Sequence, residues 1–469
     1  MLKNPSAKIL ASILILFIIY LFLNFIYLKN NSFKDFINSY PKIQKTVFAT
    51  PALLDLEKKT YLLSQKKEII KASYLERKID KTQFLNFNEI KYPLNSYVYT
   101  GKIMKAVAFI EFYKKNLFVV SGIGEVSYVP VEDIVEFQNK ILNVSSNIKD
   151  IIKDESFYDY ENRINKLSQF NSISDILIHN DFIYLSFNRL VKDNCYTKSI
   201  LRAEINFEYL EFKDFFFNKL ECIETNNDKS KFNGHQSGGR MIVINKDSNY
   251  NSFNSSSDKI LFTVGDYRSN RSKEVPLAQD ENSIFGKTLL IDVENKEYKI
   301  FTKGHRNPQG LYYDKKDNII ISTEHGPYGG DEINILYDGK NYGWPISSYG
   351  ENYPGLKNKK VKDFYFKKNH ADFGFEEPII AFTKSIGISE IIKVPNNFHS
   401  KWKNSYLATS LNGHVILRLS LNKKFNKLQS VEIINIGERI RDIKFYNNKI
   451  YTILENTGSL GVFTISETK

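Results

Sequence analysis

Two hydrophobic periodicities divide the chain. Within residues 52–79 the apolar positions Leu53, Leu56, Leu63 and Ile70, with Leu62, Ile69 and Leu75, recur at helical spacing among Lys and Glu. Pro51 stands where a helix can start. This predicts an amphipathic helix serving as a spacer or packed on the main domain, since the heptad is too short and imperfect for a coiled coil. From about residue 100 onward the pattern becomes β-type. Two apolar runs flank a turn rich in Asn, Asp and Lys in residues 106–120, 176–187, 241–265, 310–323, 390–409 and 441–454. A third apolar run follows each hairpin, at 125–129, 200–205, 288–293, 331–337, 414–421 and 460–465. Six such units predict an all-β, six-bladed β-propeller, because small antiparallel sheets repeated about an axis need this spacing. A β-helix would have shorter coils and no hairpin turns. In a propeller, loops distant in sequence meet at one end of the channel.

Residues 9–28 form an uncharged apolar run, matching the roughly 20 residues a helix needs to cross a bilayer. The run ends in Tyr27-Leu28-Lys29-Asn30-Asn31 with no small-x-small site, which favours an uncleaved transmembrane anchor over a removed signal peptide. Lys3 and Lys8 precede the span and Lys29 and Lys34 follow it, so charge gives little guide to orientation. The expected layout is a cytoplasmic tail at 1–8, an anchor at 9–28, a helical stalk at 29–95, and the propeller at 96–469 on the periplasmic or extracellular side.

Composition adds three constraints. The 469 residues, 42% hydrophobic, can bury a large core, in several domains or in one all-β domain. The formal net charge of +12 is spread through turns and helix faces, without the Lys/Arg block and interleaved aromatics of a nucleic-acid site. It reads as a solvated surface with a weak attraction to anionic lipid near the anchor. Cys195 and Cys222 flank a strand-like run; in an export compartment they could pair, and two unpaired buried thiols are the equal alternative.

Candidate chemistry concentrates in residues 304–345, where glycines break the apolar runs among Arg306, Asn307, Gln309, His325, Asp331, Glu332 and Asn334. Arg306 and Asn307 precede a proline that holds the backbone extended, and the arginine fork suits a carboxylate. The Gly326-Pro327 turn exposes carbonyls of the kind calcium takes, although no Asp-x-Asp-x-Asp loop is present. Upstream, His235 lies in Gly234-His235-Gln236-Ser237-Gly238-Gly239-Arg240, where an imidazole titrating near neutrality can act as a general base.

Taken in order, GHQSGGR, GDYR, AQD, GHRNPQGL, EHGPYGGDEIN, KNYGWPISSYG, EEPI and RIRDI resemble the soluble pyrroloquinoline-quinone (PQQ)-dependent glucose, aldose-sugar and sorbosone dehydrogenases. The resemblance covers roughly residues 170–455 and is strongest at 304–345. It implies an exported six-bladed propeller that uses PQQ and Ca2+ to oxidise an aldose-type sugar at the anomeric carbon; the expected anchor would fit an electron acceptor in the membrane. By the same resemblance His235 would take the hydroxyl proton as hydride passes to the quinone. Gln236, Arg306 and Asn307 would contact the cofactor, Arg306 stabilising the charge on its reacting carbonyl, and the carbonyls of Gly326 and Pro327 would hold the calcium. Asp331 and Glu332 would serve structure or a second ion. Where glucose-oxidising relatives place basic residues against the cofactor's carboxylates, this chain has Asn412-Gly413-His414, with Lys384 or Arg418 as substitutes. Two rivals stand: a non-catalytic propeller binding a protein or carbohydrate, as in relatives of the hedgehog-interacting type, and a lactonase or sugar receptor, which would need channel carboxylates clustered on a metal.

Overall fold

The computed structural model describes residues 69–70, 87–93, 107–136, 140–152, 173–225, 232–250, 256–269, 275–351 and 366–465. Among them are six antiparallel sheets, each holding one predicted hairpin and its third strand. A fourth strand, too irregular in pattern to read from sequence, follows in each sheet, and three of the sheets carry a short fifth strand, parallel to its neighbour in blades one and four. Blade three is representative, running Gly238–Ile244, Lys259–Val264, Lys287–Asp292 and Tyr298–Lys303 from the axis outward.

The inner strands are Ala108–Tyr113, Ile173–His179, Gly238–Ile244, Pro308–Asp314, Ile388–Lys393 and Ile440–Tyr446 for blades one to six. Each touches the next, and the sixth touches the first, so the ring closes. The sixth sheet is completed by Phe87–Pro93, which pairs antiparallel with Ser459–Ile465. That strand comes from the 29–95 stretch expected to be stalk, so the propeller begins earlier in the chain than residue 96. Ile69–Ile70, inside the expected helix, instead forms a short strand parallel to Ile380–Phe382 on the outside of blade four. The rest of the expected helix and the 9–28 run lie outside the described residues. Among the described residues, no helix is long and apolar enough to cross a membrane.

The core is divided among the seams between blades. Because successive strand residues point to opposite sheet faces, Phe118 and Val120 pack against Ile183 and Leu185 of blade two, while Leu117 and Val119 pack against Tyr451 and Ile453 of blade six. Every strand thereby serves two interfaces, which is why the runs are apolar at nearly every position. Cys195 and Cys222 are joined in a disulfide, which ties the third strand of blade two to the segment leading into blade three.

Five inner strands carry a register shift near their first residues, at 173/175, 238/241, 308/310, 388/391 and 440/443. A bulge re-aims the side chains at its site. These bulges turn Asp175, Arg240, Glu390 and Asp442 toward one another. Arg240 Nη1 lies 3.0 Å from Asp175, 3.0 Å from Glu390 and 3.2 Å from Asp442. Its other nitrogens donate to the carbonyls of Gln309 and Arg441, each at 2.8 Å, and its guanidinium lies over the Phe109 ring. One arginine thus engages all six blades. The three carboxylates in turn accept backbone N–H groups from a neighbouring blade: Asp175 from Met241, Glu390 from Leu311 and Asp442 from Ile110. The cluster of channel carboxylates that a lactonase would need does exist, but it surrounds a guanidinium.

Candidate active site at the channel mouth

The loops entering the inner strands, and those between second and third strands, lie together at one end of the channel. Glu324 organises the stretch 304–307. One of its oxygens accepts the backbone N–H of Arg306 and, at 3.3 Å, that of Asn307; the other lies 2.9 Å from His305 Nδ1. His305 reaches Thr302 at 2.7 Å through its second nitrogen and stacks on Tyr342. A buried polar chain therefore fixes the backbone that presents Arg306 and Asn307. Residue-type reasoning did not single out Glu324, because its work is done on backbone atoms.

The Arg306 guanidinium donates to Gln236 Oε1 at 2.8 Å and to the His325 carbonyl at 3.0 Å. Gln236 is itself oriented by donating to Asp266, which also accepts from Trp344 Nε1 at 2.7 Å. Burial pushes the Asp266 carboxyl up, against the pull of Arg306 and its hydrogen bonds. Arg306 Nε is buried and, among the described residues, has no hydrogen-bond partner. Such a donor costs about 1–3 kcal/mol unless something accepts from it.

Asn307 Oδ1 accepts from Gly238 N at 3.1 Å and from Gln309 at 2.9 Å, while its Nδ2 lies 3.3 Å from His325 Nδ1. The second nitrogen of His325 is 2.5 Å from the Ile388 carbonyl, so it carries the proton and Nδ1 is the acceptor. Burial first, opposed by Asp331 and seconded by Arg306 and Arg441, holds this imidazole below its ordinary pKa and hence neutral.

His235 lies in the turn before the inner strand of blade three, its backbone N–H donating to Asn233 Oδ1 at 3.0 Å. Its ring is open to channel water yet deep among protein atoms, and burial, then Arg441, lower its pKa to about 4, with Glu455 opposing and Arg439 adding. It is a neutral base at physiological pH. Arg439 and Arg441 each grip Glu455, at 2.9 Å and 2.5 Å. Burial pushes the Glu455 carboxyl up, but Arg441 and then Arg439 outweigh it and hold it below the usual range. These two guanidiniums lie in the RIRDI motif and also donate to the Leu411 carbonyl and to Gln309 Oε1. Arg418, expected against the cofactor, is instead spent on Glu432, the Lys401 carbonyl and Ser405, over the Trp402 ring, on the third strand of blade five. Lys384 is exposed in the loop between blades four and five.

Gly326 and Pro327 are buried, and among the described residues no hydrogen bond is donated to either carbonyl. A side chain at Gly326 would lie 2.2 Å from the Gly329 carbonyl, so the loop closes only with glycine there. Asp331 is not free to join an ion at this turn. Its carboxylate accepts from Gly326 N at 3.1 Å, Ser385 Oγ at 3.0 Å, and the N–H groups of Ile386, Gly387 and Ile388. Glu332 points to the other face of the strand. There it lies 3.5 Å from His370 Nε2 and accepts from Asn334, and burial, then Glu324, pushes its carboxyl well above the ordinary range. Among the described residues, no cluster of three or more His, Cys, Asp or Glu could hold a metal. A small cleft is walled by Arg306, Glu324, Glu332, Trp344 and His370, and His235 is not part of its wall.

This combination of a six-bladed ring and a mouth built on His235, Arg306 and Asn307 defines a quinoprotein-type propeller. The family model for glucose/sorbosone dehydrogenases matches residues 172–461, and the chain belongs to that family. It is 25% identical to the aldose sugar dehydrogenase YliI of Escherichia coli (strain K12) over 290 residues, 58% of this chain and 70% of that protein. It is 32% identical to the quinoprotein glucose dehydrogenase B of Acinetobacter calcoaceticus over 162 residues, 28% of this chain and 31% of that one. The PQQ-bound aldose sugar dehydrogenase from Streptomyces coelicolor shares the fold, with a TM-score of 0.52 and 16% identity over 82% of this chain and 100% of that chain.

Proposed function

We propose that the protein is a quinoprotein dehydrogenase that oxidises an aldose-type sugar at its anomeric carbon. The observation that carries this reading is the Arg306 fork, pinned on Gln236 and His325 with its buried Nε unpaired among the described residues. A donor held this way, bonded to the residue next to a neutral imidazole, suits a site where negative charge develops on one oxygen while a proton leaves another. The residues fit the cofactor and its ion: Arg306, Asn307 and Gln236 as donors, Arg439 and Arg441 as cations for its carboxylates, and the Gly326 and Pro327 carbonyls as calcium ligands. When bound, PQQ with its calcium supplies the hydride acceptor and the Lewis acid.

The chain's own contribution is acid–base and electrostatic. His235, unprotonated because burial and Arg441 lower its pKa, takes the proton from the anomeric hydroxyl. Arg306, fixed before the reaction, faces the developing oxyanion without rearranging. Residues 9–28 would anchor the chain and put the channel outside, beside a membrane electron acceptor; the Cys195–Cys222 disulfide supports an exported domain.

The test is to load the full chain, in detergent, with calcium and PQQ and to follow dye reduction over a panel of aldoses. Turnover that disappears in His235→Ala, alongside calorimetric heat on titrating the quinone, supports the reading. No heat and no turnover would leave a binding module.

A further inference from the structure

Lys198 lies on the third strand of blade two with its side chain completely buried, and the reaction proposed above does not use it. Its amine reaches Ser174 Oγ, Asn188 Oδ1 at 3.0 Å and Ser237 Oγ at 3.1 Å. All three partners are uncharged. Two of them bracket the turn that carries His235: Ser237 is part of it, and Asn188 Nδ2 donates to the Gly234 carbonyl at 3.0 Å. Asn188 Oδ1 also accepts from Tyr267 Oη at 2.7 Å, and the backbone N–H of Tyr267 donates to the Gln236 carbonyl at 2.9 Å. The turn is therefore gripped at residues 234, 236 and 237 by one buried network, with the Lys198 amine at its centre. The fit is close: a side chain at Gly239, which has φ +121°, would lie 3.1 Å from the amine and 2.3 Å from Ser174.

We infer that Lys198 is a positioning residue for His235, holding the Gly234–Ser237 turn from beneath so that the imidazole stays at the mouth. The inference rests on reading His235 as the base. A lysine buried among hydroxyl and amide groups is an expensive way to fill a seam, since burial without a counter-ion disfavours its charge. Burial does hold this amine well below the ordinary lysine range, opposed by Asp175, whose carboxylate is engaged by Arg240 and Met241 N. An apolar side chain would fill the space more cheaply, but it could not tie Ser237 to Asn188.

The test compares Lys198→Met and Ser237→Ala with wild type in the full chain. The His235 ring carbon is followed by NMR of histidine-labelled protein before cofactor is added, and assigned by its loss in His235→Ala. With the turn released, the resonance moves and its titration midpoint rises as the ring leaves its desolvated position. In the loaded enzyme kcat falls roughly 10- to 100-fold with KM for the sugar unchanged, and the acid limb of the pH profile moves up. Should Lys198→Met not fold, Ser237→Ala decides. Folded variants with wild-type His235 resonance and titration overturn the inference. A resonance that moves while His235→Ala keeps full activity upholds the positioning and removes the base assignment instead.

Discussion

Arg240 on the inner strand of blade three donates to Asp442 on the inner strand of blade six at 3.2 Å, joining residues 202 apart in sequence across the channel. With Asp175 and Glu390 on the same guanidinium, one cation ties together the inner strands of blades two, three, five and six.

Arg240→Met leaves three buried carboxylates without their shared cation. Removing one partner of a buried ion pair costs about 3–5 kcal/mol, and denaturant unfolding at neutral pH should show a loss of that order. Burial, with Asp442 and Glu390 opposing the pull of Arg240 and Lys444, raises Asp175 to about 7. Its folded-state pKa lies above its unfolded value, so the folded chain holds the extra proton and stability falls as pH rises through that window. Unfolding measured across the window should show this slope in wild type and a flatter one in Asp175→Asn.

Activity should persist into acid. With His235 at about 4, the acid limb of kcat/KM belongs near that value, well below an ordinary imidazole. Arg441 is the largest charge acting to lower it, so Arg441→Met should move the limb upward, while Glu455→Gln, removing an opposing charge, should move it down. A pH–rate profile of the three proteins checks both signs.

Two arginines that look interchangeable in sequence should behave oppositely. Arg306→Lys loses the fork to Gln236 and His325; a charged hydrogen bond is worth about 1.5–3 kcal/mol, so calorimetry should show quinone binding weakened roughly 10- to 100-fold. Arg418→Leu, breaking contacts to Glu432, Lys401, Ser405 and the Trp402 ring, should leave binding alone and lower the melting temperature.

That contrast marks the limit of what sequence carried. The blades were legible because every strand faces two seams, so the apolar runs stand out, and the mouth was legible because glycine, proline and charged residues are packed into 304–345. Arg418 misled although it falls in the third run, 414–421, because the third strand of a blade lies away from the channel and its arginine pairs with the outer strand. Asp175, Glu390 and Asp442 went unnoticed although each precedes an apolar run at the same point of its repeat. That regularity was the available signal; the bulges that give it meaning are three-dimensional. Phe87–Pro93 was missed because its partner lies at the far end of the chain.

Asp331 separates structure from metal chemistry. Its oxygens are filled by backbone N–H groups and Ser385, so Asp331→Asn should destabilise the fold by about 1–3 kcal/mol while leaving the calcium concentration for half-maximal activity unchanged. A calcium titration alongside a thermal melt distinguishes this from a ligand role, which would move both.

The pairing of Phe87–Pro93 with Ser459–Ile465 also bears on biosynthesis. During synthesis the earlier strand leaves the ribosome before any inner strand of the ring and must wait, with one edge unmatched, until nearly the whole ring has been made. The sixth blade joins an early strand to a late one like a buckle, so it is completed only once residues 459–465 have been made. A nascent chain stopped before residue 459 would have a mouth with most of its residues present and no closed ring to hold them in register.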